Sequence, residues 1–212
     1  MSAMNELSNH DHSRFLTRTN RMVGRFNTMG SETAAAGINK GVFREAVTMQ
    51  MTWPGAPTVY YADEAGQVGW TDPDNRRTYP WGREDHSLID LHRDLIFLRR
   101  SLPVLSDGSL KPLLADYGRV AYARFQEKQR AIVAVNNTSG WTNFRLFVRD
   151  AGSPEGEIFL RRILTGPEDH SLEPEACSPV QDGYLSFDLP PFSSVIYANE
   201  GPRPAAVRVP LP

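Results

Sequence analysis

Cysteine is nearly absent from this sequence: its 212 residues include one, Cys177. A single cysteine excludes a disulfide framework or a cysteine-based zinc cluster within the chain. Because it lies in a polar, proline-containing loop, we expect Cys177 to be an unimportant free thiol. No basic segment followed by an apolar run opens the sequence, so no secretory signal is recognised and a cytoplasmic location is favoured.

Long apolar runs and a charge excess are missing as well. No stretch approaches the roughly 20 apolar residues that span a bilayer, so we expect no membrane partner. Charged residues make up 23% of the sequence, and the formal net charge is −2. This balance argues against a nucleic-acid partner or an anionic membrane surface.

The first half of the sequence alternates helix and strand patterns. Apolar residues recur at three- and four-residue spacing in "VFREAVTMQMTW", which predicts an amphipathic helix ended by "WPGAP". The β-branched and aromatic run Thr58–Ala62 predicts a strand buried on both faces. A leucine stripe, Leu88–Leu102, predicts a second helix, with Asp85 or Ser87 as its cap and Pro103 at its end.

The second half predicts an all-β antiparallel sandwich, because short strand patterns are separated by turn-rich segments. The predicted strands are Arg119–Phe125, Ala131–Asn136, Asn143–Val148, Ile158–Leu164, Tyr184–Leu189 and Ser194–Ala198. We therefore expect an α/β region over residues 1–104, a β-sandwich over 105–200 and a proline-rich tail over 201–212. The α/β region offers two strands at most, too few for a stable parallel layer, so it resembles the end of something larger.

Several motifs follow one another in an order typical of a known family. They are "NHD" (Asn9 to Asp11), "PGAPTVYYADEAG" (Pro54 to Gly66), "DPDNR" (Asp72 to Arg76), "AIVAVNNT" and "DLPPFSSVIYA". In this order they resemble the α-amylase family of glycoside hydrolases, and "RFLTRTN" and "YYADEAG" are most similar to its neopullulanase and cyclomaltodextrinase members. The resemblance implies the last βα units of a TIM-type (β/α)8 barrel, followed by the β-sandwich called domain C.

The family's chemistry explains why these residue types are needed. Retaining hydrolysis uses a nucleophilic carboxylate and an acid/base carboxyl group about 5–5.5 Å apart. By resemblance, Asp11 is a third carboxylate that stabilises the transition state at the sugar, and His10 and Asn9 contact the same sugar. Asp72 and Arg76 resemble a pair that holds neighbouring glucose units. The implied substrate is an α-1,4-linked glucan or maltooligosaccharide.

The resemblance also shows what this sequence lacks. In the family, the nucleophile and the acid/base precede the "NHD" motif, and only eight residues precede Asn9 here. We therefore expect a C-terminal piece that is inactive by itself. Its exposed barrel edge, formed by the unpaired strands and the apolar stripe of the Leu88–Leu102 helix, should favour homo-oligomers. No cofactor is expected in this chain, although the resemblance allows calcium in a full-length parent.

Several alternatives remain open from the residues alone. Asp11 can instead cap a helix in a polar loop, and His10 with His12 forms a weak candidate metal pair. Asp63 or Glu64 can supply a replacement acid beside Asp11. The chain can also be a non-catalytic sugar-binding or structural β-sandwich module.

Aromatic side chains in the long loop after Ala62 are a further open point. Trp70, Tyr79 and Trp81 can each stack on a sugar ring or pack inside the protein. For Trp70 the two readings are balanced, so it is kept as a candidate substrate-binding residue. For Tyr79 and Trp81 we expect packing.

Overall fold

A computed structural model describes residues 3–22, 24–172 and 176–200, and the tail predicted over 201–212 lies outside them. The helices are α1 Phe15–Arg18, α2 Phe26–Met29, α3 Lys40–Thr52, α4 His86–Ser101 and α5 Pro103–Asp107. The strands are β1 Met4–Glu6, β2 Ala56–Thr58, β3 Ser109–Asp116, β4 Arg119–Phe125, β5 Arg130–Asn136, β6 Thr142–Phe147, β7 Ile158–Thr165, β8 His170–Ser171, β9 Cys177–Pro179, β10 Tyr184–Leu189 and β11 Ser193–Ala198.

A seven-stranded antiparallel sheet dominates the second half of the chain. Its order is β3-β4-β5-β11-β7-β8, and β9 also pairs with β7. Within the described ranges, a second antiparallel sheet consists of β6 and β10, joined in register from Tyr184 opposite Phe147 to Leu189 opposite Thr142. These antiparallel sheets agree with the predicted sandwich, and the predicted bounds of β4 and β10 are confirmed.

The central strands of the large sheet are buried on both faces. In β5, Ile132 and Ala134 point to a cluster shared with Phe144 and Leu185 of the small sheet. Because strand side chains alternate, Val133 of β5 points the other way. It lies in a second cluster, shared with residues of α3, α4 and α5. The large sheet is therefore a middle layer between the small sheet and the helices.

Helices α3 and α4 form as the sequence pattern predicts. The Asn39 side chain accepts a hydrogen bond from the Val42 amide at the start of α3. The Asp85 carboxylate caps α4 by accepting from the amides of Ser87 and Leu88. Such caps satisfy backbone donors that have no partner inside the helix.

The leucine stripe of α4 lies in the core rather than on an open edge. Leu88, Leu91, Leu95, Leu98 and Leu102 are all at most 1% exposed. They pack with α3 and with the helix-facing side of the large sheet. Because one cluster contains residues from both sides of position 104, the core is continuous across the predicted boundary, which stays a prediction.

The first half contributes one pair of parallel strands. Residues 4, 5 and 6 of β1 pair with residues 56, 57 and 58 of β2. The prediction of a strand over Thr58–Ala62 buried on both faces is wrong, since β2 ends at Thr58, while Val59 and Tyr61 are exposed. The chain turns instead: the Asp63 amide donates to the Tyr60 carbonyl, and Ala62 has a φ of 67°.

Candidate functional site

The loop that carries Asn9, His10 and Asp11 is shaped by its own asparagine. The Oδ1 atom of Asn9 accepts from the Asp11 amide at 2.9 Å and from the His12 amide at 3.2 Å. Its Nδ2 atom donates to the Glu6 carboxylate at 2.7 Å. Both ends of the Asn9 amide group are therefore used within the protein, in the turn that short polar side chains favour.

His10 and Asp11 project from this loop into solvent. Each side chain is 69% exposed, and His10 Nε2 lies 3.3 Å from Asp11 Oδ1. Asp11 does not cap a helix, because α1 begins after Arg14 and has no side-chain cap. The helix-cap alternative is therefore wrong, and both side chains are accessible to a ligand.

The "DPDNR" segment forms a compact turn with exposed and buried charges. Asp72 and Arg76, four residues apart, form an exposed ion pair at its outer side. Asp74 is buried and accepts hydrogen bonds from the Trp70 amide and the Arg77 guanidinium. The buried contacts fix the turn, and the outer pair remains free to meet a ligand.

Asn75 joins this turn to the loop of Asp11. Its side chain is fully buried. Its Nδ2 atom lies 2.8 Å from the His10 carbonyl, 2.8 Å from the His12 carbonyl and 3.4 Å from the Asn9 carbonyl. Two motifs more than 60 residues apart in sequence thus form one surface.

Arg14 is a buried anchor beneath the same surface. Its Nε atom donates to the Asn75 carbonyl at 2.8 Å, and its Nη1 atom donates to the Tyr61 carbonyl and the Asp63 carboxylate. The guanidinium carbon also lies 4.2 Å from the ring centre of Tyr60. A buried charged group normally needs such partners, because removing a charge from water costs free energy.

Asp63 is held in an ion pair rather than presented as a catalytic acid. Its Oδ1 atom lies 3.0 Å from Arg14 Nη1, and both side chains are buried. Burial raises the pKa of Asp63, an effect opposed by Ser8 and Arg14. The replacement-acid alternative therefore finds no support at Asp63, whose carboxylate is already used.

The exposure of the three loop aromatic side chains differs from the sequence-based expectation. Trp70 is 1% exposed and donates from Nε1 to Thr33 Oγ1 at 2.9 Å, so it packs in the core and offers no face to a sugar. Trp81 is 79% exposed, against the expected packing role. Its ring centre lies 4.4 Å from that of the partly buried Tyr79. Trp81 is therefore the aromatic side chain of this loop that is open to solvent.

The described residues do not assemble a cluster of metal-ligating side chains. Among the described residues, no group of three or more histidine, cysteine, aspartate or glutamate side chains could hold a metal ion. His10 and His12 thus have no third ligand among these described side chains. Cys177 is a free, exposed cysteine on β9. No helix in the described ranges is long and apolar enough to span a membrane.

Comparison with known proteins decides which family these motifs come from. The chain is 40% identical over 125 residues to an amylopullulanase from Thermoanaerobacter thermohydrosulfuricus, covering 58% of this chain and 8% of that protein. It is 33% identical over 199 residues to neopullulanase 2 from Thermoactinomyces vulgaris, covering 92% of this chain and 29% of that protein. No family model matches the sequence.

A solved Anoxybacillus α-amylase aligns with a TM-score of 0.70 and 29% identity, covering 95% of this chain and 38% of that one. The chain is a homologue of α-amylase-family enzymes. The resemblance inferred from its motifs is therefore confirmed. A solved cyclomaltodextrinase, at 23% identity and a TM-score of 0.69, agrees in fold. The chain spans 8% and 29% of the length of the two curated relatives.

Two buried residues that hold the site of this α-amylase-family homologue were not predicted from sequence. Asn75 stands inside the "DPDNR" segment, whose aspartate and arginine drew attention, and Arg14 lies three residues after Asp11. Their burial was not readable from sequence, since arginine and asparagine are usually exposed. The only available signal was their position inside or beside a motif.

Proposed function

We propose that the loop of Asp11 and the turn of Asp72–Arg76 form part of the substrate site of a retaining α-glucan hydrolase or transglycosylase. The implied reaction is the cleavage of α-1,4-glucosidic bonds. The observation that carries the proposal is the bridge from Asn75 to the carbonyls of His10 and His12. The bridge unites two segments that resemble separate parts of the family's sugar site.

Each exposed side chain then has a role. Asp11 binds sugar hydroxyl groups and strengthens those contacts as positive charge develops at the reacting carbon. His10 donates to the same sugar, and Asp72 with Arg76 holds a neighbouring glucose unit. Asn9, whose amide is used within the loop, shapes the site rather than binding sugar.

The architecture of the proposed site follows from the first half of the chain. Strands β1 and β2 are parallel, and helix α3 connects them. Asp11 follows the carboxyl end of β1, and the Asp63–Arg76 segment follows that of β2. In a (β/α)8 barrel, the active site lies at that end of the strands. We assign residues 1–104 to barrel units and 105–200 to domain C on this basis.

The chain alone is proposed to be catalytically inactive. The chemistry needs a nucleophile and an acid/base in addition to Asp11. Asp63 is engaged with Arg14, and Asp74 is engaged with Arg77 and the Trp70 amide. Neither buried carboxylate is free to attack a sugar.

Hydrolysis and binding assays test the two parts of the proposal separately. The purified chain should release nothing from maltotriose or nitrophenyl-maltoside. Hydrolysis that disappears in Asp11→Ala would overturn the proposed inactivity. In calorimetry with millimolar maltotriose, binding heat should be lost in Asp11→Asn. The matched control is Asp150→Asn, because Asp150 is 53% exposed and pairs with Lys111 on the sandwich side.

A non-catalytic sugar-binding role is the second candidate, and the exposure of Trp81 favours it. Aromatic faces contribute binding through apolar contact area. Under this alternative, Trp81→Ala abolishes the binding heat while Asp11→Asn leaves it unchanged. The opposite result favours the catalytic-site proposal.

A further inference from the structure

Asn75 is the one described side chain that hydrogen-bonds to three successive parts of the Asp11 loop. We infer that Asn75 is a positioning residue, which sets where Asp11 and His10 stand relative to Asp72 and Arg76. This inference deepens the proposed function and rests on it. Asn75 itself does not face the proposed sugar, since its side chain is fully buried.

The chemistry of the contact requires an amide. All three partners of Asn75 Nδ2 are carbonyl oxygens, at 2.8, 2.8 and 3.4 Å. A carboxylate of the same size has no hydrogen to donate at neutral pH and would repel these oxygens. An alanine would leave these part-buried oxygens without their donor, which costs more than the net gain of the original bonds.

The backbone of Asn75 is fixed from below. Its carbonyl accepts from Arg14 Nε at 2.8 Å, and the Arg14 amide donates to the Gly69 carbonyl, also at 2.8 Å. At Gly69 the turn approaches so closely that an added Cβ would lie 2.5 Å from the Asp74 carbonyl oxygen. Asn75 thus stands on a rigid base, so its side chain holds the Asp11 loop rather than following it.

Sequence position links the two halves of the proposed site through this one residue. Asn75 directly precedes Arg76, which pairs with Asp72 on the exposed side of the turn. The Asn75 side chain reaches the carbonyls on both sides of Asp11. A displacement of the Asn75 amide therefore changes the separation of the two sugar-contacting groups.

The test compares Asn75→Asp with the matched substitution Asn136→Asp. Asn136 is also fully buried, and its Nδ2 atom donates to the carbonyls of Gly140, Leu189 and Pro190 at 2.7 to 3.2 Å. It holds a loop of the sandwich in the same manner, away from Asp11. Both substitutions remove donors and add a buried charge.

Two readouts are measured on the full chain. Hydrogen exchange of the Asp11 and His12 amides should become about tenfold faster or more in Asn75→Asp, as expected for loss of local protection. Maltotriose affinity, followed by calorimetry, should weaken about tenfold, equivalent to one decade of Kd. In Asn136→Asp both quantities should stay at the wild-type level. If Asn75→Asp does not fold by circular dichroism, Asn75→Ser, which keeps one donor, replaces it.

The outcomes separate the inference from the function on which it rests. Unchanged exchange at Asp11 and His12 in a folded Asn75 variant overturns the inference. Equal effects of Asn136→Asp on those amides also overturn it, because the change would then reflect global stability. Faster exchange with no maltotriose binding by the wild-type chain supports the linkage of the loops and overturns the proposed sugar site.

Discussion

Arg14 and Asp63 form a buried ion pair with an Nη1–Oδ1 distance of 3.0 Å beneath the proposed site. The pKa of Asp63 is nevertheless raised by burial, so the pairing does not fully offset the loss of water. The pair also ties the turn after β2 to the segment after β1. The ion pair therefore acts mainly by fixing the geometry of the proposed site. Breaking it should displace the segments that carry the site residues.

Arg14→Met should destabilise the chain by about 3–5 kcal/mol, because it leaves Asp63 buried without a countercharge. Asp63→Asn should cost less, since an amide oxygen still accepts from Arg14. The comparison pair is Arg93 and Asp90, which lie 3.3 Å apart on the surface of α4. Arg93→Met should cost less than about 1 kcal/mol. Urea unfolding at pH 7 gives the free energy of unfolding of all three variants. Similar losses in the two arginine variants would contradict the structural role assigned to the buried Arg14–Asp63 pair.

The two tryptophans of the long loop should behave oppositely. Trp70→Ala should destabilise the protein by about 3–5 kcal/mol, because it empties a core site and removes the hydrogen bond from Trp70 Nε1 to Thr33. Trp81→Ala should change stability by no more than about 0.5 kcal/mol, since Trp81 is mostly exposed. Urea unfolding gives both values, and iodide quenching should act on Trp81 much more than on Trp70. A large cost at Trp81 would mean that its ring packs in solution.

The outer face of α3, not the leucine stripe of α4, should drive association between copies of the chain. Two cavities of ≈340 and ≈330 Å³ adjoin this face and share Phe15, Ala46 and Met49. Among the described strands, β1 and β2 pair only with each other, so their outer edges are open. Exposed apolar faces and open strand edges both favour self-association.

Met49→Lys should therefore shift the chain toward monomer in sedimentation velocity. Phe97→Lys is the control, because Phe97 is exposed on the opposite helix, α4. A lysine there should leave the distribution unchanged. A wild-type chain that is monomeric at all accessible concentrations would refute the prediction.

Local patterns predicted the elements well where burial follows a simple period. The bounds of β4 and β10 and the Asp85 cap of α4 follow from alternation and capping chemistry. Strand β3, Ser109–Asp116, was missed because it is partly exposed and contains Pro112, which interrupts a strand pattern. The strand expected at Thr58–Ala62 failed because tertiary contacts, such as Tyr61 hydroxyl to the Arg77 carbonyl, favour a turn.

The candidate site was predictable only in its exposed members. Asp11, His10, Asp72 and Arg76 stand out as polar or charged residues in recognisable motifs, and all four are exposed. The role of Trp70 could not be assigned from sequence, because the pattern around a tryptophan in a polar loop is the same whether the ring packs in the core or stacks on a sugar. The buried contacts that hold these exposed residues in place are long-range. The Asn75 side chain, for example, contacts residues more than 60 positions away in sequence. No local pattern reports a contact at such a separation.

Glu45 should make the stability of the chain fall as pH rises. It is buried on α3 beside the ≈340 Å³ cavity, and its Oε1 atom has no hydrogen-bond partner among the described residues. Burial raises the pKa of Glu45 from 4.5 to about 9, an effect opposed by the charge of Arg21. Between these two values, the folded chain holds a proton that the unfolded chain has lost. Raising the pH therefore favours unfolding across that window.

Glu45→Gln removes this titration while keeping the size of the side chain. Near pH 4.5 the variant and the wild type should have similar melting temperatures, because Glu45 is protonated in the folded wild type and still about half protonated in its unfolded state. Toward pH 9 the variant should become more stable, by about 2–4 °C in Tm for each kcal/mol gained. Glu127→Gln, at an exposed position, is the control for the loss of one carboxylate and should change stability by no more than about 0.5 kcal/mol. A constant difference for Glu45→Gln from pH 4.5 to 9 would show that Glu45 titrates normally, because only a shifted pKa makes the difference grow with pH.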